Sequence, residues 1–351
     1  MDPEEEELAI ARNDARGSGL QMAQDVETSQ GASKAWFVGV DVGGTKTEAV
    51  LVQDGEVRAS TRIATRRGVG GVVEGAAEVV RRVCGDAGIA VADLIGVGVG
   101  VPGVVDHAAG TVTRAVNLGI HDTVPLGAML SRELRLPVAV ENDLNAAAIG
   151  AAAALGRSDL AYLSIGTGVA AGLILDGRLR RGHRGAAGEV GHLPFRSQGP
   201  RCACGQRGCI EVFGSGGALD RAWPTRGGVP APVGLFRAAA AGDPRALAVR
   251  RAFADAVAYA VRALVVTCDP EVVVLGGGVA RLGVVLRDVV VEAMHRLAEG
   301  SPFLRGLRIE EGIAMTPDER VPSLGAAQVA VSRSAADAAG AREAYRDERW
   351  R

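Results

Sequence analysis

Apolar positions in this chain follow a pattern that occurs twice. From Trp36 the run WFVGVDV is apolar and β-branched, which predicts a buried strand leading into a glycine turn. TEAVLVQ follows, then Asp54-Gly55, then EVRASTRIAT, so a β-meander with a tight turn is expected. Residues from about 71 to 87 show helical spacing with charges on one side. LIGVGVGVPG and PVAVEND read as two further buried strands. LNAAAIGAAAALG reads as an alanine-rich helix stopped by Gly156.

The order then begins again. LAYLSIGTG, AAGLILDG and RLRRG repeat strand, glycine turn, strand and tight turn. A helix over 244–267, the strand EVVVLGGG, a helix over 281–298, a short strand LRIEEG and a helix over 323–334 follow. Two such halves predict a pseudo-duplicated α/β protein. Segment 199–234 is rich in Gly, Pro, Cys and Arg and is expected to be irregular. A loop of that length in a compact domain is usually functional or held by a metal. Residues 35–143 are expected to form a smaller α/β domain, with helix 323–335 packing back on it. Residues 144–322 are expected to form a larger one carrying the loop 192–211. An acidic disordered tail is expected over 1–34 and a charged tail over 336–351.

Composition narrows the function classes. A length of 351 residues suits two domains flanking a cleft. Aromatic residues make up only 3%, which argues against a base-stacking platform, and a net charge of -2 provides no basic field for a phosphate backbone. No nucleic-acid partner is expected. No run of about 18 apolar residues occurs, so no membrane partner is expected either. The opening MDPEEEEL lacks the basic and apolar regions of a signal peptide, so a cytoplasmic location is expected.

Three glycine turns follow buried strands. Asp41-Val42-Gly43-Gly44-Thr45-Lys46 lies between two expected antiparallel strands, where its glycines can bring N–H groups toward an anion. Gly166-Thr167-Gly168 has the same setting, and Gly276-Gly277-Gly278 follows VVVL. None matches a Walker loop or GxGxxG. Together they predict a nucleotide cleft, with Asp41 able to position Mg²⁺ through water. Glu141-Asn142-Asp143 ends another buried strand, where α/β folds present active groups. Asp143 either caps the alanine-rich helix or acts as a general base. Five cysteines are present, and three of them, Cys202, Cys204 and Cys209, fall within eight residues. With His192 they can form a tetrahedral Cys₃His site of the structural Zn²⁺ type. Cys84 and Cys268 have apolar helical settings and read as core residues.

The motifs DVGGTK, VPGVVD, VNLG, ENDLNAAAIGAA, SIGTGVAAGLILDG, GAAGEVGH and CACGQRGCIE resemble, in order and spacing, the ROK family of repressors, open reading frames and sugar kinases. GAAGEVGH with CxCGxxGCxE is the most specific combination. The resemblance covers residues 36 to about 335. It implies an actin-like, hexokinase-like ATPase fold with two similar α/β domains, ATP across the cleft and a hexose beside it, glucose being the expected acceptor. It implies that Asp143 activates the sugar hydroxyl. It implies that Asn117, Asn142, Asp143, Glu189, His192 and Glu211 surround the hexose, and that His192 and the three cysteines hold zinc. A homodimer or homotetramer is expected.

Two departures stand out. The second turn reads GTGVAAG where the family often has GTGxGGG, placing Ala170 and Ala171 near the phosphates. The loop Asn117-Leu118-Gly119-Ile120-His121 lacks the aromatic residue that glucose kinases of the family often carry. This opens N-acetylmannosamine, fructose and allose as other acceptors. A sugar-responsive regulator is the competing function, but it needs a basic, helical DNA reader where this chain has acidic residues.

Overall fold

The computed structural model describes residues 35–225 and 227–348, so the tail expected over 1–34 lies outside the described residues. The first half contains strands β1 (Trp36–Val42), β2 (Lys46–Gln53), β3 (Glu56–Ala64), β4 (Leu94–Val101), β5 (Val104–Asp106), β6 (Thr111–Thr113) and β7 (Val138–Asn142). Helices α1 (Gly68–Asp86) and α2 (Leu126–Leu134) lie between them. The second half opens with helix α3 (Asp143–Leu155) and strands β8 (Leu160–Ile165), β9 (Val169–Leu175) and β10 (Arg178–Leu179). Helices α4 (Glu211–Gly214), α5 (Gly216–Ala222), α6 (Ala231–Ala240) and α7 (Pro244–Cys268) follow. Strand β11 (Val272–Gly276), helices α8 (Val284–Ala298) and α9 (Pro302–Gly306), strand β12 (Ile313–Met315) and helix α10 (Val321–Glu348) complete it.

The strands form two five-stranded sheets, ordered β3-β2-β1-β4-β7 and β10-β9-β8-β11-β12, and the small hairpin β5-β6. In each large sheet the central strand pairs antiparallel with the next strand and parallel with one that returns after a helix. The duplication expected from the pattern is therefore a shared topology. Even the tight turns correspond. Asp54-Gly55 and Asp176-Gly177 have φ values of 54° and 79°, and of 53° and 68°, the left-handed pair of a type I′ hairpin.

Period-two alternation separates the faces of each sheet. In the first, Val38, Val40, Leu51 and Val99 join α1 and α2 in one core, while Val50 and Val52 turn toward Ala327 of α10. In the second, Ala161, Leu163 and Val273 meet α7 and α8, while Leu160, Tyr162 and Val274 meet Ala148 and Ala151 of α3. Helices α3 and α10 thus form a central layer between the sheets. Glycine lets this layer close up. Gly39 and Gly98 are paired across β1 and β4, and a Cβ on either would lie 1.9 Å from the Ser323 carbonyl or 1.7 Å from that of Ala326. A Cβ on Gly150 would lie 2.0 Å from the Val321 carbonyl, and one on Gly325 1.7 Å from that of Ala146.

Several elements differ from expectation. LRIEEG is not a strand: Ile309–Gly312 form a 3₁₀ turn, and the apolar Ile313–Met315 provides the strand that pairs with β11. Segment 199–234 holds α4, α5 and the start of α6. Gly283, at φ 60° and ψ -138°, separates α8 from a preceding 3₁₀ turn where one helix was expected. The C-terminal helix begins at Val321 and continues past 335 to Glu348, its exposed face carrying an Arg333–Asp337 pair one turn apart at 3.2 Å. The charged tail expected from 336 is helical over the described residues.

Candidate active site

Strands β1, β4 and β7 run parallel, so their C-terminal ends share one edge of the first sheet. Asp41 lies at the end of β1 opposite Gly100, and Asp143 follows the last residue of β7 as the first residue of α3. The helix cap is Asn142, not Asp143. Its Oδ1 accepts the N–H groups of Leu144 at 3.0 Å and Asn145 at 3.2 Å, while its Nδ2 donates to the Gly103 carbonyl at 3.2 Å. That assignment leaves Asp143 available for chemistry, although Leu144 N–H also donates to its Oδ1 at 2.9 Å. Burial raises the Asp143 carboxyl above the ordinary carboxylate range, against the hydrogen bond from Leu144. Burial and the charge of Asp143 push Asp41 up to about 7, partly opposed by Lys46.

The first glycine turn closes through Gly43 N–H to the Lys46 carbonyl at 2.9 Å, and Thr65 Oγ1 donates to the Gly43 carbonyl at 2.7 Å. Neither Gly43 nor Gly44 has a left-handed φ, so the turn uses them for space. A Cβ on Gly43 would lie 3.0 Å from the Lys46 carbonyl, and one on Gly44 would lie 3.6 Å from Asn117 Cβ. The first glycine turn and the Asn117 loop therefore lie side by side. Asn117 is exposed on a 3₁₀ turn held by buried Leu118 and Ile120 and ended by Gly119 at φ 72°. Thr45 is exposed, and Lys46 Nζ lies 3.3 Å from Glu48 Oε2.

The other two turns divide between packing and open space. Gly216 N–H donates to the Gly166 carbonyl at 2.7 Å, holding the second turn against α5. Glu211 Oε2 accepts Val169 N–H at 3.2 Å and occupies the place a Cβ on Gly168 would need, 2.4 Å away. In the third turn, Gly276 backs onto Tyr162, and Gly277, at φ 81°, backs onto the Ile165 backbone. Nothing lies within 4 Å of a Cβ placed on Gly166 or Gly278, while Thr167 is exposed. Gly276 and Gly277 are thus required by the protein's own packing, independently of any phosphate, whereas a side chain at Gly168 would displace the Glu211 carboxylate.

The segment GAAGEVGH lies along β9. A Cβ on Gly188 would meet the Ala171 carbonyl at 1.7 Å, and one on Gly191 the Val169 carbonyl at 1.9 Å. This seats Glu189, which is exposed, and His192, which is half-buried, with His192 Nε2 3.8 Å from Glu189 Oε2. The other ring nitrogen, Nδ1, lies 3.7 Å from Cys202 Sγ, and Cys204 Sγ lies 3.7 Å from Cys209 Sγ. The ligand atoms of His192, Cys202, Cys204 and Cys209 all fall within 4.8 Å of one another. Two sulfurs on a tetrahedral zinc, each about 2.3 Å from it, lie about 3.8 Å apart, so the set fits that ion. Burial and the neighbouring thiols push Cys209 up to about 12, whereas backbone and side-chain hydrogen bonds from Gln206 draw Cys204 down to about 6. A divalent cation would stabilise all three as thiolates.

Residues 37–327 match the model of the ROK family. The chain belongs to the ROK family. A glucokinase of Halalkalibacterium halodurans is 33% identical over 299 residues, covering 77% of this chain and 90% of that protein. An N-acetylmannosamine kinase of Vibrio cholerae is 31% identical over 266 residues, covering 75% and 89%. Among solved structures, a ROK glucokinase of Streptomyces griseus in complex with glucose and AMPPNP superposes with a TM-score of 0.71 at 29% identity. It covers 85% of this chain and all of that one (100%). The fold is the actin-like, hexokinase-like ATPase fold.

This ROK chain carries one ion pair that its sequence pattern did not single out. Glu141, 1% exposed at the end of β7, accepts Arg181 Nε at 2.9 Å and Nη2 at 2.5 Å on Oε2. Its Oε1 accepts Asn142 N–H at 3.0 Å and Asn145 Nδ2 at 2.9 Å. An ionisable residue at the end of an apolar strand was the available signal, since a buried carboxylate requires partners. Nothing in the local pattern pointed to Arg181 as that partner. Among the described residues, no helix is long and apolar enough to cross a membrane.

Proposed function

We propose that this ROK-family chain is an ATP-dependent hexose kinase, with glucose as the acceptor and Asp143 as the general base. The observation that carries the reading is the placement of Asp143. It stands at the first turn of α3, on the sheet edge that also carries Asp41, with the capping task taken by Asn142. Phosphoryl transfer needs little covalent help from a protein beyond positioning, charge neutralisation and a group to take the hydroxyl proton. A carboxylate that burial makes more basic than an ordinary one suits the last of these.

The remaining roles follow from position. The turns at Gly43-Gly44-Thr45-Lys46, Gly166-Thr167-Gly168 and Gly276-Gly277-Gly278 would hold the nucleotide, with Lys46 beside its phosphates. Asp41 would hold Mg²⁺ through water, and when bound that ion neutralises phosphate charge. Asn117, Asn142, Glu189, His192 and Glu211 would read the sugar hydroxyls, the carboxylates each accepting from neighbouring groups. His192 suits a double duty, because one ring nitrogen faces the thiols and the other faces Glu189. Zinc would fix this wall without taking part in the transfer.

A second acceptor class is favoured by one observation. The Asn117 loop presents Val116, 63% exposed, and no aromatic residue up to His121. A wall without an aromatic ring would admit an N-acetylated hexose, and the similarity to an N-acetylmannosamine kinase supports that reading. Coupled ADP release across glucose, N-acetylmannosamine, fructose and allose tests both acceptors. The expected result is saturable release with glucose and a smaller kcat/KM for the others. ADP release that is independent of every sugar would sink the reading.

A further inference from the structure

We infer that Arg181 is a positioning residue that locks the sugar-reading loop to the base-bearing turn through Glu141. The inference rests on the kinase reading for its kinetic consequence, and on geometry alone for the lock itself. Glu141 is the last residue but one of β7 and belongs to the first half. Arg181 follows β10, the edge strand of the second sheet, and opens the loop that runs to Glu189 and His192. The guanidinium places two N–H groups on one carboxylate oxygen. The other oxygen holds the Asn142 N–H and the Asn145 amide, one on each side of Asp143. Every acceptor position of a buried carboxylate is therefore used to join two segments that the chain separates by 40 residues.

Charge-assisted hydrogen bonds of this kind are stronger and more directional than neutral ones. Breaking a buried pair from one side leaves an uncompensated charge, whereas replacing both partners often restores stability. That asymmetry separates positioning from simple stabilisation. Removing Arg181 frees the loop carrying Glu189 and His192 and loosens the turn carrying Asp143 together. Small misplacements at a reacting centre cost about 10²-fold in rate.

The test compares Arg181→Met, Arg181→Lys and the double variant Glu141→Gln with Arg181→Met, in the full chain. Arg181→Met is expected to lower the melting temperature and kcat and to raise the hexose KM about tenfold. The ATP KM should stay within about threefold. The double variant is expected to regain the melting temperature but not kcat or the hexose KM. Arg181→Lys keeps the charge without the fork, so it should fall between wild type and Arg181→Met in hexose KM. A double variant with wild-type kcat and hexose KM overturns the inference. Hydrogen exchange supplies a readout independent of turnover. Amides of 142–146 and 182–192 should lose protection together in Arg181→Met, and loss confined to one segment contradicts the lock. A wild-type chain without hexose-dependent ADP release would end the kinase reading, while the exchange result would still decide the lock.

Discussion

Asp41 and Asp143 face the same electrostatic problem, because burial opposes ionisation of both, and the charge of Asp143 adds to the effect on Asp41. For Asp41 the effect reaches about 7, from an ordinary value of 3.8. Between those values the folded chain holds a proton that the unfolded chain has lost. Stability therefore falls as pH rises across that window, by at most about 4 kcal/mol. Asp41→Asn has no such proton. Its melting temperature relative to wild type should rise from about pH 4 to about pH 7 and level off above, as read by calorimetry. A cation held by Asp41 needs the ionised form, so the KM for MgATP should fall as pH rises through about 7. Burial also raises Asp143, which puts an acidic limb on kcat. The glutamate at 211 belongs to this scale as well. Its carboxylate accepts from Val169 N–H beside Gly168, so the proposed sugar wall and the proposed second phosphate turn share one side chain.

At the level of elements, the central helix pair is held by glycines that meet carbonyl oxygens. Gly325→Ala would drive a methyl into the Ala146 carbonyl, and Gly98→Ala would do the same at Ala326. Each is expected to destabilise the chain by at least about 2 kcal/mol in denaturant titrations. Gly278→Ala, which meets open space, serves as the comparison. The metal loop gives a second element-level prediction. Purified protein should contain about one zinc per chain, and Cys204→Ser should lose it together with thermal stability. Metal analysis that finds none in wild type would remove zinc from the account.

How much of this was legible depends on the kind of signal each element carries. Strands β1, β2, β4, β7 and β8 announce themselves by continuous apolar runs, and the Asp-Gly hairpins by a two-residue code. Helix α2 was not read because its Leu126–Leu134 stretch is short and follows an irregular loop. LRIEEG failed as a strand because Ile309 is its lone buried residue, the alternating Leu307 being exposed, and Ile313 was the residue that found β11. The juxtaposition of His192 with the three cysteines could be read from residue type and spacing, and the glycine turns and Asp143 could be singled out as candidates in the same way. The division of labour between Asn142 and Asp143 could not, since both are good caps and only coordinates show which side chain reaches the helix N–H groups. Arg181 was equally hidden, because pairing across 40 residues leaves no local pattern.

The whole molecule is two sheets of the same topology with α3 and α10 between them. The chain crosses from one half to the other at Asn142-Asp143, so the proposed base sits where relative motion of the halves would be felt least. Closure around a sugar would exclude water and limit idle ATP hydrolysis. Hexose binding is therefore expected to reduce the radius of gyration in small-angle scattering, and Gly325→Ala to weaken that change. The central claim is that Asp143 takes the proton of a bound hexose. Rapid-quench single-turnover measurement of Asp143→Asn with ATP and glucose, paired with calorimetric glucose titration, tests it most directly. The account predicts a phosphoryl-transfer rate reduced by about 10²–10⁴-fold with glucose affinity largely retained. A variant that transfers the phosphoryl group near the wild-type rate would contradict it.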